Sequence, residues 1–164
     1  MPSVPELASI SIVRTAPSGA DAVAVAVKPT GAVPRQLGQS RARLAELGFD
    51  AKPGQTLVLP AKQGVVVAVG VPDEPTANQL RDAAAACVRA VPKAAHVALN
   101  VADAAGGAAG EVTAAYRAVT EGALLAGYRY VGLKNDPAAK PALTQVSLVG
   151  AKSTAADAGV ADGR

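Results

Sequence analysis

Aromatic side chains are scarce in this sequence, which contains no tryptophan, one phenylalanine and three tyrosines. A core filled by bulky rings is therefore excluded. Half of the residues are nevertheless apolar, so valine, alanine and leucine must fill the interior through close approach of neighbouring elements. A length of 164 residues suits one domain, which buries about 70% of the surface that its unfolded chain exposes. We expect a tight core that tolerates enlarged side chains poorly.

Cysteine and histidine each occur once, which excludes an internal disulfide bond and restricts metal chemistry. Cys87 falls on the apolar side of a predicted helix, and we expect it to be a core residue. A catalytic zinc or manganese site needs at least three convergent histidine, carboxylate or cysteine ligands. His96 has no such companions near it in the sequence. We therefore expect no metal site in this chain.

Long apolar segments are also absent. No run approaches the roughly 20 residues that a membrane-spanning helix needs, and no apolar stretch follows a charged start at the amino terminus as in a secretory signal. These patterns predict a protein without a membrane partner and with a cytoplasmic location.

Charge of one sign is not concentrated enough to indicate a dedicated nucleic-acid-binding module. Sixteen basic and thirteen acidic residues give a net charge of +3, whereas such a module normally has a strongly basic face. Glu46 and Asp50 interrupt the densest basic group, and only Phe49 is available there for stacking. A solvated surface is favoured, and nucleic-acid binding stays open. The basic group consists of Arg35, Arg41, Arg43, Lys52 and Lys62.

The periodicity of the apolar residues predicts six strands and three helices. Ser40 is a predicted cap for a short helix that ends at Gly48, and Thr76 with Gln79 forms a capping-box pair for a helix that ends before Pro92. A mixed six-stranded sheet with helices on both faces, an α/β fold, follows from the order of these elements. The predicted strands are 7–14, 22–27, 55–60, 64–71, 95–101 and 143–149, and the third helix is 110–130.

The long third helix contains Gly122 and Gly127 on its predicted buried arc. Each glycine costs about 0.8–1 kcal/mol relative to alanine inside a helix, so we expect another backbone to pack closely there. Leu124, Leu125 and Tyr128 continue the opposite, polar side of the helix and need a cover. Either a partner surface or the connection at 131–142 can supply it.

Gly106, Gly107 and Gly110 lie between the strand at 95–101 and the long helix. Backbone N–H groups at such a helix start can bind an anion. A flexible turn is the competing interpretation of the same glycines.

Several segments resemble the amino-terminal domain of cytosolic leucyl aminopeptidases, also called bacterial aminopeptidase A. The run TEGALLAGYRY at 120–130, followed by Lys134, is similar to the helix near the end of that domain. Three further segments resemble parts of the same domain and occur in the same order along the chain. They are residues 47–49 with 52–54, residues 66–70, and Thr76 with Leu80 and Arg81. The strand end at 69–72 departs from the Gly-Leu-Gly-Lys type of ending that is usual in the family. The resemblance spans about residues 5–150.

The resemblance implies a macrodomain-like fold in which residues 1–150 form a non-catalytic amino-terminal domain. Residues 151–164 would be a disordered tail or the start of the linker to a missing catalytic domain. That domain would carry two divalent metals, zinc or manganese, and the signature Asn-Thr-Asp-Ala-Glu-Gly-Arg, which this chain lacks. The parent would remove amino-terminal residues from peptides and assemble as a homohexamer. This chain would then have no catalytic residue and no cofactor of its own.

The resemblance also implies partners and alternatives. The parent's catalytic domain and neighbouring subunits are the expected partners of Leu124, Leu125 and Tyr128, and peptide substrates would be reached through the missing domain alone. One alternative is a free-standing macrodomain-like module that binds a nucleotide or ADP-ribose through the loop at 106–110. Another is an accessory DNA-binding domain that uses Arg41 and Arg43.

Overall fold

The computed structural model describes residues 6–128 and 142–164. Within them, six strands form one sheet in the order β1-β6-β5-β2-β4-β3. All neighbouring strands are parallel except β3, which runs antiparallel to β4. The strands are β1 (Ser9–Val13), β2 (Ala22–Val27), β3 (Thr56–Pro60), β4 (Val65–Gly70), β5 (His96–Asn100) and β6 (Gln145–Val149). The predicted mixed six-stranded sheet is confirmed.

Helices cover both faces of this sheet, as predicted. They are α1 (Arg41–Glu46), α2 (Ala77–Ala90), α3 (Ala109–Gly127) and α4 (Thr154–Asp162), with short 3-10 turns at Arg35–Leu37 and Ala102–Ala105. The sequence of strand β2 is apolar throughout because both of its faces are covered. Ala22 and Ala24 pack into the core beneath α2, α3 and α4, whereas Val27 packs on the opposite face with Leu44 of α1.

The predicted helix starts are confirmed in detail. The Ser40 side chain accepts a hydrogen bond from the Arg43 N–H at the start of α1. Thr76 and Gln79 form a complete capping box at the start of α2, which satisfies backbone donors that would otherwise lack partners. Gly48 follows α1 with a φ of 85°, the left-handed conformation that favours glycine.

Close helix packing explains one of the two glycines on the predicted buried arc of α3. A Cβ on Gly122 would collide with the backbone carbonyl of Arg81 in α2, so the predicted close approach of another backbone is confirmed. Gly127 differs, because its nearest neighbour is the side chain of Leu143 rather than a backbone.

Residues 151–164 are not a disordered tail, because they include α4 (Thr154–Asp162), whereas their role as the start of a linker stays a prediction. Ser153 caps α4 by accepting from the Ala156 N–H, and the helix packs on α3 so closely that a Cβ on Gly159 would collide with the Thr113 carbonyl. The Thr113 hydroxyl also donates to the Ala155 carbonyl over 3.0 Å. Small residues allow this contact without the wide apolar stripe by which amphipathic helices are recognised.

The last residue bonds to the first strand. The Arg164 guanidinium donates to the Ile10 carbonyl of β1 over 2.9 Å, and β1 is an edge strand of the sheet. None of the helices in the two described segments is long and apolar enough to cross a membrane.

Candidate functional site

A cleft lies where the carboxyl ends of β1, β5 and β6 meet the side of β2 that carries Val23 and Val25. After β2 the chain turns to the face that carries α1, and after the adjacent β5 it turns to the face that carries α3. Where two neighbouring connections leave a sheet on opposite sides, a crevice opens between them, and ligands of open α/β sheets commonly bind there.

The cleft has a volume of about 630 Å³, within the range of small-molecule sites, which is roughly 300–1,000 Å³. Its base is apolar, with Val23 and Val25 of β2 and Val149 of β6. Polar and charged residues surround this base. The lining residues are Arg14, Thr15, Ala16, Val23, Val25, Gln36, Asn100, Asp103, Val149, Gly150, Ala151 and Lys152.

Two basic side chains stand at one end of the cleft. Arg14 directly follows β1, and Lys152 lies three residues after β6. These two strands are neighbours in the sheet, and their last residues, Val13 and Val149, lie opposite each other. Both residues are exposed. Among the residues that the structure describes, neither is part of an ion pair, so both positive charges are available to an anion.

A fixed carboxylate stands at the same strand ends. The Tyr116 hydroxyl donates to Asp103 Oδ1 over 3.3 Å, and Tyr116 is only 1% exposed. Burial, then the charge of Asp103, raises the pKa of Tyr116 to about 12, so the hydroxyl keeps its proton and orients the carboxylate. Gly150 lacks room for a side chain, because a Cβ would lie 2.8 Å from Asp103 Oδ1.

Sequence reasoning missed this arrangement. Tyr116 lies in α3 and Asp103 lies before it, and the tertiary fold alone brings the hydroxyl to the carboxylate. A usable signal was present, since Asn100 and Asp103 are polar residues at the end of a buried strand, where α/β sheets place their functional groups.

The predicted anion loop lies outside the cleft lining. Gly106, Gly107 and Gly110 are exposed and lead into the first turn of α3. The carboxylate of Glu111 lies 3.5 Å from the position of a Cβ on Gly106, and its negative charge opposes a bound anion at the positive end of the helix. Anion binding by this loop stays a prediction that the geometry does not favour.

The predicted interface residues separate into two groups. Leu125 is 70% exposed and Tyr128 is 45% exposed, whereas Leu124 is 8% exposed. Leu124 is therefore already covered within the domain, and its predicted contact with a partner stays a prediction. Its side chain packs in the main core together with Ile10 and Leu143. A helical wheel assigns one buried side to α3, whereas in the fold other elements pack on more than one side of this helix. The alternative cover, the connection at 131–142, lies outside the described residues except for residue 142.

Comparison with known proteins gives the family. The model for the N-terminal domain of the cytosol aminopeptidase family matches residues 27–137. This chain belongs to the cytosol aminopeptidase family. The predicted resemblance is thereby confirmed, and the match is to the amino-terminal domain.

Solved structures agree with this cytosol aminopeptidase domain. The bottromycin maturation enzyme BotP is 33% identical with a TM-score of 0.68, and the match covers 88% of this chain and 30% of BotP. BotP in complex with Mn gives 34% identity and a TM-score of 0.67, covering 88% of this chain and 29% of that one. A mutant of tomato leucine aminopeptidase gives a TM-score of 0.75 at 17% identity, covering 97% and 36%, which shows the shared fold. No curated protein matches the chain.

The cytosol aminopeptidase domain spans about a third of the length of these relatives. Its own residues do not fit a two-metal centre, since nowhere in the described segments do three or more histidine, cysteine, aspartate or glutamate side chains come together. His96 Nε2 instead lies 2.8 Å from the hydroxyl of Ser147.

The basic residues considered for DNA binding are partly used within the domain. The Arg41 guanidinium donates to the carbonyls of Lys28 and Gly31 over 3.1 and 2.9 Å. Arg43 forms an ion pair with Glu46 at 2.8 Å. These contacts hold the region around α1 together and reduce what both side chains can offer to phosphates.

Proposed function

We propose that this chain is the non-catalytic amino-terminal domain of a metallo-aminopeptidase that removes amino-terminal residues from peptides. The observation that carries the proposal is the family match over residues 27–137. The lengths of the relatives support it, because the chain spans 30% of BotP and 36% of the tomato enzyme. A domain of this size leaves room for a separate catalytic domain in each relative.

The finer parts of this proposal concern the parent enzyme. Two divalent metals, zinc or manganese, would be held by its catalytic domain, since the described residues offer no ligand set. A cytoplasmic parent and a homohexamer are further parts of the proposal, and the description of the family as cytosol aminopeptidases supports the first. Peptide substrates would contact the catalytic domain rather than this one.

The proposed role of the domain is assembly and control of access to the catalytic domain. Leu125 and Tyr128 are large apolar residues that remain exposed near the end of α3, and Leu7 is 53% exposed. Leu7 and Tyr128 line one shallow groove beside Leu124. Exposed apolar residues that lie close together often mark a surface that contacts another protein. The proposed contact is with the parent's catalytic domain or a neighbouring subunit.

Two measurements test the assignment of the parent. Antibodies against this domain should detect, in cells that make it, a protein about three times the mass of the 16.2 kDa chain. The purified chain should not hydrolyse leucyl p-nitroanilide with added Mn²⁺ or Zn²⁺, whereas the longer protein should. Metal-dependent hydrolysis by the purified chain alone would contradict the proposal.

Hydrogen exchange tests the interface. Amides at 122–128 should exchange more slowly in the longer protein than in the isolated domain if the exposed side chains there become covered. Amides of the exposed turn at 61–64 serve as the internal reference. Equal exchange at 122–128 in both proteins would remove the proposed contact.

A further inference from the structure

We propose that the cleft between the carboxyl ends of β1, β5 and β6 and the valines of β2 binds a nucleoside phosphate. The proposal is independent of the aminopeptidase assignment, because the cleft is formed entirely by this chain and lies apart from Leu125 and Tyr128. It also differs from the predicted nucleotide site at 106–110, whose glycines do not line the cleft.

The charge distribution selects an anionic group. Arg14 and Lys152 leave neighbouring strand ends, which are tied together where the Gly150 N–H donates to the Val13 carbonyl over 2.9 Å. Two cations that come from adjacent strands can contact one phosphate together. Charge-assisted hydrogen bonds of this kind are about twice as strong as neutral ones.

The remaining surface selects a ligand larger than a free phosphate. An anion at Arg14 and Lys152 leaves the base of Val23, Val25 and Val149 unused in a cleft of about 630 Å³. Of these three residues Val23 is partly exposed, whereas Val25 and Val149 are only 3% and 8% exposed, so a flat heterocyclic base would fill the cleft and pack against Val23 rather than bury a large apolar area.

The polar residues complete the match to a nucleoside. The Asp103 carboxylate, oriented by the Tyr116 hydroxyl at 3.3 Å, can accept hydrogen bonds from ribose hydroxyls. Asn100 and Gln36 also line the cleft, and a side-chain amide offers both a donor and an acceptor to the edge of a base. A zwitterionic amino acid such as leucine has no ribose hydroxyls to donate to Asp103 and is too small to fill a cleft of about 630 Å³.

Calorimetric titration of the chain with adenosine monophosphate, adenosine, inorganic phosphate and leucine tests the proposal. Saturable binding of adenosine monophosphate is expected, with adenosine and phosphate each at least about tenfold weaker, since each lacks one set of contacts. Arg14→Gln and Lys152→Gln should each weaken the nucleotide by about tenfold. Lys62→Gln, which removes an exposed charge outside the cleft, should leave affinity unchanged.

Backbone amide shifts in NMR spectra locate the bound ligand without depending on the variants. Addition of adenosine monophosphate should move the resonances of Asn100 and Gly150 and leave those of Leu125 in place. Three results would each overturn the proposal: no saturable nucleotide binding, binding that Arg14→Gln, Lys152→Gln and Lys62→Gln affect equally, or phosphate or leucine binding as tightly as the nucleotide.

Discussion

Gly110 and Gly122 lie in the same helix, α3, but in different surroundings. Beyond its chain neighbours and the backbone of its own helix, no atom lies within 4 Å of a Cβ built on Gly110, whereas one on Gly122 would collide with the Arg81 carbonyl of α2. The same substitution should therefore have opposite effects at the two positions. At Gly122 the methyl group of alanine would overlap with the backbone of α2. At Gly110 alanine only reduces the backbone freedom of the unfolded chain.

Gly122→Ala should lower the free energy of unfolding by about 1–3 kcal/mol, because overpacking forces the backbones of α2 and α3 apart. Gly110→Ala should raise it by up to about 1 kcal/mol, because alanine favours the helix. Urea denaturation of the three proteins measures both changes. A destabilised Gly110→Ala, or a neutral Gly122→Ala, would contradict this account of the helix contact.

Asp21 links stability to pH at the amino ends of β2 and β5. Its carboxylate accepts hydrogen bonds from the N–H groups of His96 and Ala95, each over 2.9 Å. The His96 N–H, then the Ala95 N–H, lowers the pKa of Asp21 in the folded protein. The charged carboxylate thus stabilises the fold above its unfolded pKa of about 3.9, and this contribution is lost as the pH falls through the lower, folded value.

Asp21→Asn should be less stable than the natural protein at neutral pH, because it keeps an acceptor oxygen but loses the charge. The difference between the two proteins should shrink as the pH is lowered from about 6 to about 2. Unfolding curves at a series of pH values measure it, and the other acidic groups, present in both proteins, cancel. A pH-independent difference would show that the charge of Asp21 does not contribute.

At the scale of elements, local chemistry in the sequence predicted most of the structure. Thr76 and Gln79 predicted the start of α2, since a capping box needs only nearby residues. Helix α4 was missed because its contact with α3 depends on Gly159 meeting the backbone at Thr113. Close contact between small residues has no periodic apolar signal, so the sequence of 151–164 gave no indication of it.

Gly159→Val should release α4 from α3, because its Cβ would also lie 2.9 Å from the Cβ of Tyr116 and 3.0 Å from the Arg117 nitrogen. Ala158→Val is the matched control, since Ala158 is exposed in the same helix and the change carries a similar β-branched penalty. Hydrogen exchange at 154–162 should accelerate in Gly159→Val alone. Equal exchange in the two variants would mean that the contact does not hold α4.

At the scale of the whole molecule, the cleft could not be predicted from the sequence. The six strands were predicted, but their spatial order was not, and the cleft exists because β5 lies beside β2 while their connections leave on opposite faces. Leu124 and Leu125 show the same limit. They are neighbours in sequence, yet the packing of the full domain buries one and leaves the other 70% exposed.

Leu125→Glu should leave the isolated domain intact and weaken assembly of the proposed parent. A substitution at an exposed position usually changes the free energy of unfolding by no more than about 0.5 kcal/mol. In an interface, however, the new glutamate would be a buried, unpaired charge, which weakens association. Sedimentation of the longer protein measures assembly. Ala114→Glu, at an exposed position near the other end of α3, is the control, and equal assembly of both variants would exclude Leu125 from the interface.

The bond from Arg164 to the Ile10 carbonyl has a consequence for solubility. Strand β1 borders the sheet, and a border strand can recruit a strand from another molecule through its free main-chain groups. The guanidinium occupies one of those acceptors and brings a positive charge to the border, which discourages such recruitment. Proteolytic trimming of the last few residues would uncover that acceptor and favour self-association of the trimmed domain through β1.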